Sequence, residues 1–162
     1  MKKLIVVNGS MGIGKTSTCK YLYKSLDRSV WLDGDWCWMM NPWTVNKDTI
    51  EMVENNITYL LNSYLENPLF NYVIFSWVLH REDILNDLLE RLHTSEYKLY
   101  KITLTCSEES LRDRMHSDMR SLEQINNSIN RLQLYQRMQS NKIDTSDLGI
   151  EETVEKIIRI IS

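Results

Sequence analysis

Eight residues near the start of the chain, Gly9-Ser10-Met11-Gly12-Ile13-Gly14-Lys15-Thr16, have the spacing G-x-x-x-x-G-K-[ST]. The chemistry of that spacing is polyphosphate binding. The glycines let the backbone turn so that successive N–H groups point inward at phosphate oxygens, and the N-terminus of a following helix adds the positive end of its dipole. Lys15 can reach β- and γ-phosphates, and the Thr16 hydroxyl can ligate Mg²⁺. Three of the 5 glycines in the chain fall in this short segment. Residues 9–16, together with Ser17, form the candidate set for a nucleoside triphosphate, and the expected cofactors are ATP and Mg²⁺.

Two acids form the next cluster, Asp33-Gly34-Asp35. They close an apolar run, Val30-Trp31-Leu32, and in open α/β sheets ligands gather outside the carboxyl ends of strands. One carboxylate can hold a Mg²⁺-bound water, and the other can orient or deprotonate an acceptor hydroxyl. The apolar run Tyr72-Val73-Ile74-Phe75 closes with Ser76-Trp77 and no carboxylate. ATPases and GTPases usually place their metal-associated acid there. The metal-associated acid must therefore come from elsewhere, with Asp33 as the candidate, and the pattern favours phosphoryl transfer over a motor or switch. Two other classes set against it are a regulatory ATPase or GTPase and a binding module that merely retains ATP.

Arginines supply the third cluster. Leu111-Arg112-Asp113-Arg114-Met115-His116-Ser117-Asp118-Met119-Arg120 follows the strand Leu99–Leu104, so it also starts at the ligand edge. Phosphoryl transfer spreads negative charge over the γ-phosphate oxygens, which arginines on a mobile segment stabilise. Arg114 and Arg120 are the candidates; the competing role is a solvated helix face with i,i+4 ion pairs such as Arg114 with Asp118. Trp36, Trp38 and, further on, Trp77 stand beside the acidic pair or at the end of the neighbouring strand, and are candidates for an acceptor pocket in which Arg81 could contact an anionic group of the acceptor. Core packing is the alternative for these indoles. Asn141-Lys142-Ile143-Asp144 imitates a guanine-reading N-K-x-D motif, but polar residues precede it and its apolar residue lies inside it. ATP is therefore expected over GTP.

The elements that must position these residues alternate from end to end. Strands are expected at Lys3–Val7, Val30–Leu32, Tyr72–Phe75, Leu99–Leu104 and around Ile143. Helices are expected at Thr16–Leu26, along Ile50, Val53, Ile57, Leu60, Leu61 and Tyr64, and along Ile84, Leu85, Leu88, Leu89 and Leu92, where apolar residues recur at three and four. Ser107 reads as an N-cap opening one long polar helical region to about Met138. Val154, Ile157, Ile158 and Ile161 line a closing helix. Strands separated by helices imply a parallel sheet covered on both faces.

At 162 residues, with 43% hydrophobic residues and a net charge of −3, the chain is expected to form one domain and to bind neither nucleic acid nor membrane. No apolar run approaches membrane-spanning length. Cys19, Cys37 and Cys106 lack metal-ligand spacing and suggest buried thiols in a reducing compartment, with a cytoplasmic location by default. His80, His93 and His116 are scattered, which argues against a histidine metal site.

The order strand, G-S-M-G-I-G-K-T, helix, strand, L-D-G-D, helical region, L-x-C-S-x-E-x-L-x-x-R, and I-D-T-S before a final helix resembles the small P-loop kinases. These include the shikimate, gluconate and adenylylsulfate kinases, chloramphenicol phosphotransferase and the more distant adenylate kinase. The resemblance implies a three-layer α/β/α P-loop NTPase fold with a five-stranded parallel sheet in the order 2-3-1-4-5. It also implies an acceptor-binding helical region over about 36–67, an arginine-bearing lid over about 112–138, and a small-molecule acceptor. By that resemblance Asp33 serves Mg²⁺, Asp35 the acceptor hydroxyl, Arg114 the adenine and Arg120 the lid, while Asp144-Thr145-Ser146 borders the adenine. Ser76-Trp77-Val78-Leu79-His80-Arg81 departs from the shikimate kinases, which have a glycine cluster there, and the residues after the acidic pair depart from the gluconate kinases.

Overall fold

A computed structural model describes residues 1–162. Five strands, β1 (Lys2–Asn8), β2 (Ser29–Asp33), β3 (Tyr72–Trp77), β4 (Tyr97–Thr105) and β5 (Asn141–Asp144), form one sheet. Six helices connect and follow them: α1 (Lys15–Ser25), α2 (Lys47–Glu66), α3 (Glu82–Glu90), α4 (Glu108–Ser117), α5 (Leu122–Arg137) and α6 (Ile150–Ile161). The strand order is β2-β3-β1-β4-β5 and every pairing is parallel. The fold class expected from the sequence is the one observed.

The sequence explains the centre of the sheet. Leu4, Ile5, Val6 and Val7 in β1 are all buried, because a parallel strand between two others is covered on both faces. Alternate residues then serve opposite cores. Ile5 and Val7 join a cluster with Cys19 and Leu22 of α1, Leu111 and Met115 of α4, and Ile157 of α6. Leu4 and Val6 join the other, with Val53, Ile57 and Leu61 of α2 and Leu85 and Leu88 of α3. Burying each such side chain contributes about 1.5–3 kcal/mol, and this term holds the layers together. No helix is long and apolar enough to cross a membrane.

One expectation needs correcting. The stretch from Ser107 to Met138 is not a single helix. α4 stops at Ser117, the chain turns through Met119 at φ 56, and α5 restarts at Leu122. The restart has a local cause: Ser121 accepts from the Gln124 amide while the Gln124 side chain accepts from the Ser121 amide. This reciprocal cap satisfies two amides that the first turn leaves unpaired. Asn46 and Thr49 cap α2 in the same manner, so that helix opens at Lys47, ahead of Ile50.

All five strands run the same way, so their carboxyl ends share one edge. β1 opens there into residues 9–14, β2 into a 3₁₀ turn at Gly34–Trp38, and β3 into the segment before α3. Crevices of this kind form where neighbouring connections leave a central strand in opposite directions, as they do around β1.

Candidate active site

The loop from Gly9 to Gly14 wraps the N-terminus of α1. Gly12 and Gly14 sit at φ 81 and φ 98, a region that disfavours any side chain, and a Cβ on Gly14 would meet nothing within 4 Å. Gly14 thus faces open space at the first turn of α1, where four amides lack helical partners. Inside the loop, the Lys15 ammonium donates to the carbonyls of Gly9 and Ser10, both at 2.8 Å. Desolvation lowers its pKa to about 8, opposed by the nearby charges of Asp35 and Asp33. The Ser10 hydroxyl is buried with no hydrogen-bond partner in the protein. An ammonium held only by carbonyls beside an orphaned hydroxyl suits an arriving polyanion.

Asp33 and Asp35 stand across from this lysine. Asp33 is buried at the end of β2, and one of its oxygens accepts from the Asp35 amide at 3.0 Å. Burial raises its pKa; the Asp35 amide, Lys15 and the Thr16 hydroxyl act in the opposite sense. Asp35 is exposed. Thr16 and Asp33 are therefore adjacent and able to share a cation through its waters. No group of three or more His, Cys, Asp or Glu residues could hold a metal alone. These residues fit Mg²⁺ arriving with a nucleotide, which typically keeps several waters and takes one or two protein ligands beside the phosphates.

Gly34 between the acids has a packing role. A Cβ there would lie 2.5 Å from Cγ of Trp77, so the indole at the end of β3 seats directly against the acidic turn. Trp77 also meets Phe75 at 6.3 Å between ring centroids, and Trp38 packs half-buried in the same layer against Trp43 at 6.2 Å. Trp36 turns the other way. Its ring lies 4.9 Å from that of Trp31, whose layer is the one containing α1. The structure does not bring Trp36, Trp38 and Trp77 into one pocket: alternation along β2 sends Trp31, and Trp36 with it, to the opposite face. Arg81 is paired with Asp83 at the start of α3, both well exposed, and reaches no cleft.

The arginines also separate. Arg114 crosses from α4 to the segment after β5, donating to the Thr145 carbonyl at 2.5 Å and hydroxyl at 3.0 Å, and to the Ile13 carbonyl at 3.4 Å. The ion pair with Asp118 does not form. Arg114 with Ile13, Gly14, Thr145 and Leu148 walls a cleft of about 210 Å³ that leads away from the loop. Arg120 is exposed after the Met119 turn, and its side chain makes no hydrogen bond or ion pair.

On the other flank of the loop lies a cleft of about 150 Å³ that sequence reasoning missed, lined by Ser10, Met11, Val78, Ser128, Arg131 and Tyr135. Burial lifts the Tyr135 phenol to about 12, against the influence of Arg131. Burial and the charges of Arg131 and Arg81 push His80 below its ordinary value. Asn8 was missed as well. Its amide accepts from the Leu79 N–H at 2.8 Å and donates to the Leu79 carbonyl at 2.7 Å, continuing the β1–β3 ladder with a side chain. The same Nδ2 approaches Met138 Sδ at 3.1 Å, and Glu82 accepts from the Gln139 amide. The wall after β3, the loop and the end of α5 are thereby tied at one point. The only signal for these residues was their type; their partners lie far away in sequence.

Comparison with known proteins agrees with this geometry. The family described as AAA domain matches residues 5–143. No curated protein matches the chain by sequence. Among solved structures, the tunicamycin resistance protein of Deinococcus radiodurans superposes with a TM-score of 0.70 at 18% identity, covering 100% of this chain and 96% of its own. A gluconokinase of Sinorhizobium meliloti gives 0.71 at 18%, covering 97% and 90%. Shikimate kinase of Aquifex aeolicus gives 0.63 at 20%, covering 98% and 95%. At these identities the likeness is one of fold, the fold of the small P-loop kinases.

Proposed function

The chain belongs to the AAA domain family, and from that membership and the geometry of its loop we propose that it is a Mg²⁺-ATP-dependent phosphotransferase acting on a small-molecule acceptor. The observation that carries the reading is the position of Lys15, held inside the loop by two carbonyls and facing both carboxylates of the acidic turn. Donor phosphate and acceptor hydroxyl would meet between those groups.

Each residue then has a task. Gly9 to Ser17 receive the phosphates, with backbone amides and the Lys15 ammonium countering their charge. Thr16 and Asp33 would hold Mg²⁺, which supplies charge neutralisation at the β,γ-bridge. Asp35, exposed and two residues beyond Asp33, orients the acceptor hydroxyl and takes its proton. Arg114 and Thr145 border the adenine side, and Arg120, exposed on the turn between α4 and α5, is free to swing toward the donor. Acceptor specificity belongs to the flank lined by Ser10, Val78, Arg131 and Tyr135, where a cation and hydroxyls converge on a polar or anionic small molecule.

The reading is tested by incubating the protein with Mg-ATP and pooled metabolites and antibiotics, then following phosphorus NMR and the mass of each component. One acceptor should gain the mass of a phosphoryl group while ADP forms in equal amount. ADP production that never depends on an acceptor would replace the kinase with an ATPase.

A further inference from the structure

The tryptophan that leaves the acidic turn builds a separate feature. Trp36 is 50% exposed, although its ring lies only 4.9 Å from Trp31. Trp31 in turn stacks on Tyr23 of α1 at 5.9 Å and 28°. The Trp31 indole is locked, because its Nε1–H donates to Ser76 Oγ at 2.9 Å. These three rings line a cleft of about 580 Å³ between α1 and β2, the outer strand of the sheet. The remaining lining residues are Thr16, Lys20, Ser29 and Val30. No carboxylate lines the cleft, and Lys20 has no ion-pair partner.

We propose that this cleft is a second ligand site, for a planar ring bearing a carboxylate or phosphate group. The ring is specified by the half-bare indole of Trp36 over the fixed Trp31, since aromatic faces stack with an offset and gain energy beyond area burial. The anion is specified by Lys20, the sole charge in the lining, with Thr16 and Ser29 as the polar side chains around it. A volume of this size is that of a small-molecule site. The cleft adjoins the transfer centre. Trp36 follows Asp35, whose amide donates to Asp33, and Thr16 belongs to both sites. The site stands on this lining and does not depend on the phosphotransferase reading.

The test follows the indole N–H resonances of the five tryptophans during titration with 1-naphthyl phosphate, with and without saturating Mg-ADP. Trp31 and Trp36 should shift saturably and equally in both series, while Trp38, Trp43 and Trp77 stay in place. Glycerol 3-phosphate, an anion without a ring, should move neither. Lys20→Gln should weaken binding about tenfold or more, the effect expected for a lost charge-assisted contact. Trp36→Ala should do the same, and Trp36→Phe should restore most of the affinity. Unmoved Trp31 and Trp36 resonances, native affinity in Lys20→Gln, or loss of binding when Mg-ADP fills the phosphate loop would each overturn the proposal.

Discussion

Lys15 is the residue of the loop whose chemistry burial perturbs most. Its ammonium carries a desolvation cost that two carbonyls and the nearby Asp35 and Asp33 carboxylates offset only in part, and its pKa falls from 10.5 to about 8. Phosphates in the loop raise that value again, so nucleotide binding above pH 8 should take up close to one proton. Calorimetry in two buffers of different ionisation enthalpy at pH 8.5 measures this, and equal heats would show that the lysine is already charged. The unfolded chain holds this proton between pH 8 and 10.5 and the folded protein does not, so the lysine's contribution to stability rises with pH across that window. Lys15→Ala should consequently melt no lower than the native protein at pH 7 while losing transfer by about 3 kcal/mol or more of barrier, read from kcat/KM. The two acids should part company under substitution. Asp33→Asn should raise the Mg²⁺ concentration needed for half-maximal rate, and Asp35→Asn should lower kcat at saturating Mg²⁺; native behaviour in both would reduce the pair to a turn. Residues 9–17 were legible in the sequence because their geometry is local, set by glycine φ angles and a helix start. Asn8, Arg131 and Trp31 were not, because each acts through a partner more than 40 residues away.

At the scale of elements, the amphipathic helices were readable by period, and the parallel strands by their short apolar runs. The break between α4 and α5 escaped that reading. Both helices bury sparse apolar residues, Leu111 and Met115 in one and Ile125 and Leu132 in the other, and the period continues across the turn that separates them. Only the cap formed by Ser121 and Gln124 marks the restart, and it lies within a polar stretch with no glycine or proline. The tie at Asn8 is the other element-scale feature, since it fixes the wall after β3 relative to the loop and to the end of α5. Asn8→Ala would leave the Leu79 N–H and carbonyl without their partners, at about 2–3 kcal/mol. A urea titration should show that loss. Acceptor KM should rise more than ATP KM, because the wall at Val78 lines the proposed acceptor flank. An equal rise in both would make the tie purely structural.

For the whole molecule, strand order decides what the chain can read in a nucleotide. Asn141–Asp144 is itself β5, paired with β4 from Ile102 to Thr105, and Asp144 accepts from the Ser146 amide and hydroxyl. Carboxylate and asparagine are thus held in the sheet rather than presented on a loop to a guanine edge. ATP should bind at least tenfold more tightly than GTP (about 1.4 kcal/mol) in calorimetric titration, and a preference for GTP would contradict this. Layer order and strand direction were legible because alternation of helix and strand leaves few other arrangements. The split of the tryptophans between two faces was not, since it depends on which way the single turn after β2 rotates. The central position of β1 also has a consequence in time. Its neighbours are β3 and β4, which begin at Tyr72 and Tyr97. At synthesis rates of about 5–20 residues per second, β1 waits roughly 5–20 s for its second neighbour. Until β3 is made, Leu4-Ile5-Val6-Val7, fully buried in the finished molecule, has no strand beside it on the nascent chain. The strand that organises the finished sheet is thus the first to be made and among the last to be covered on both edges.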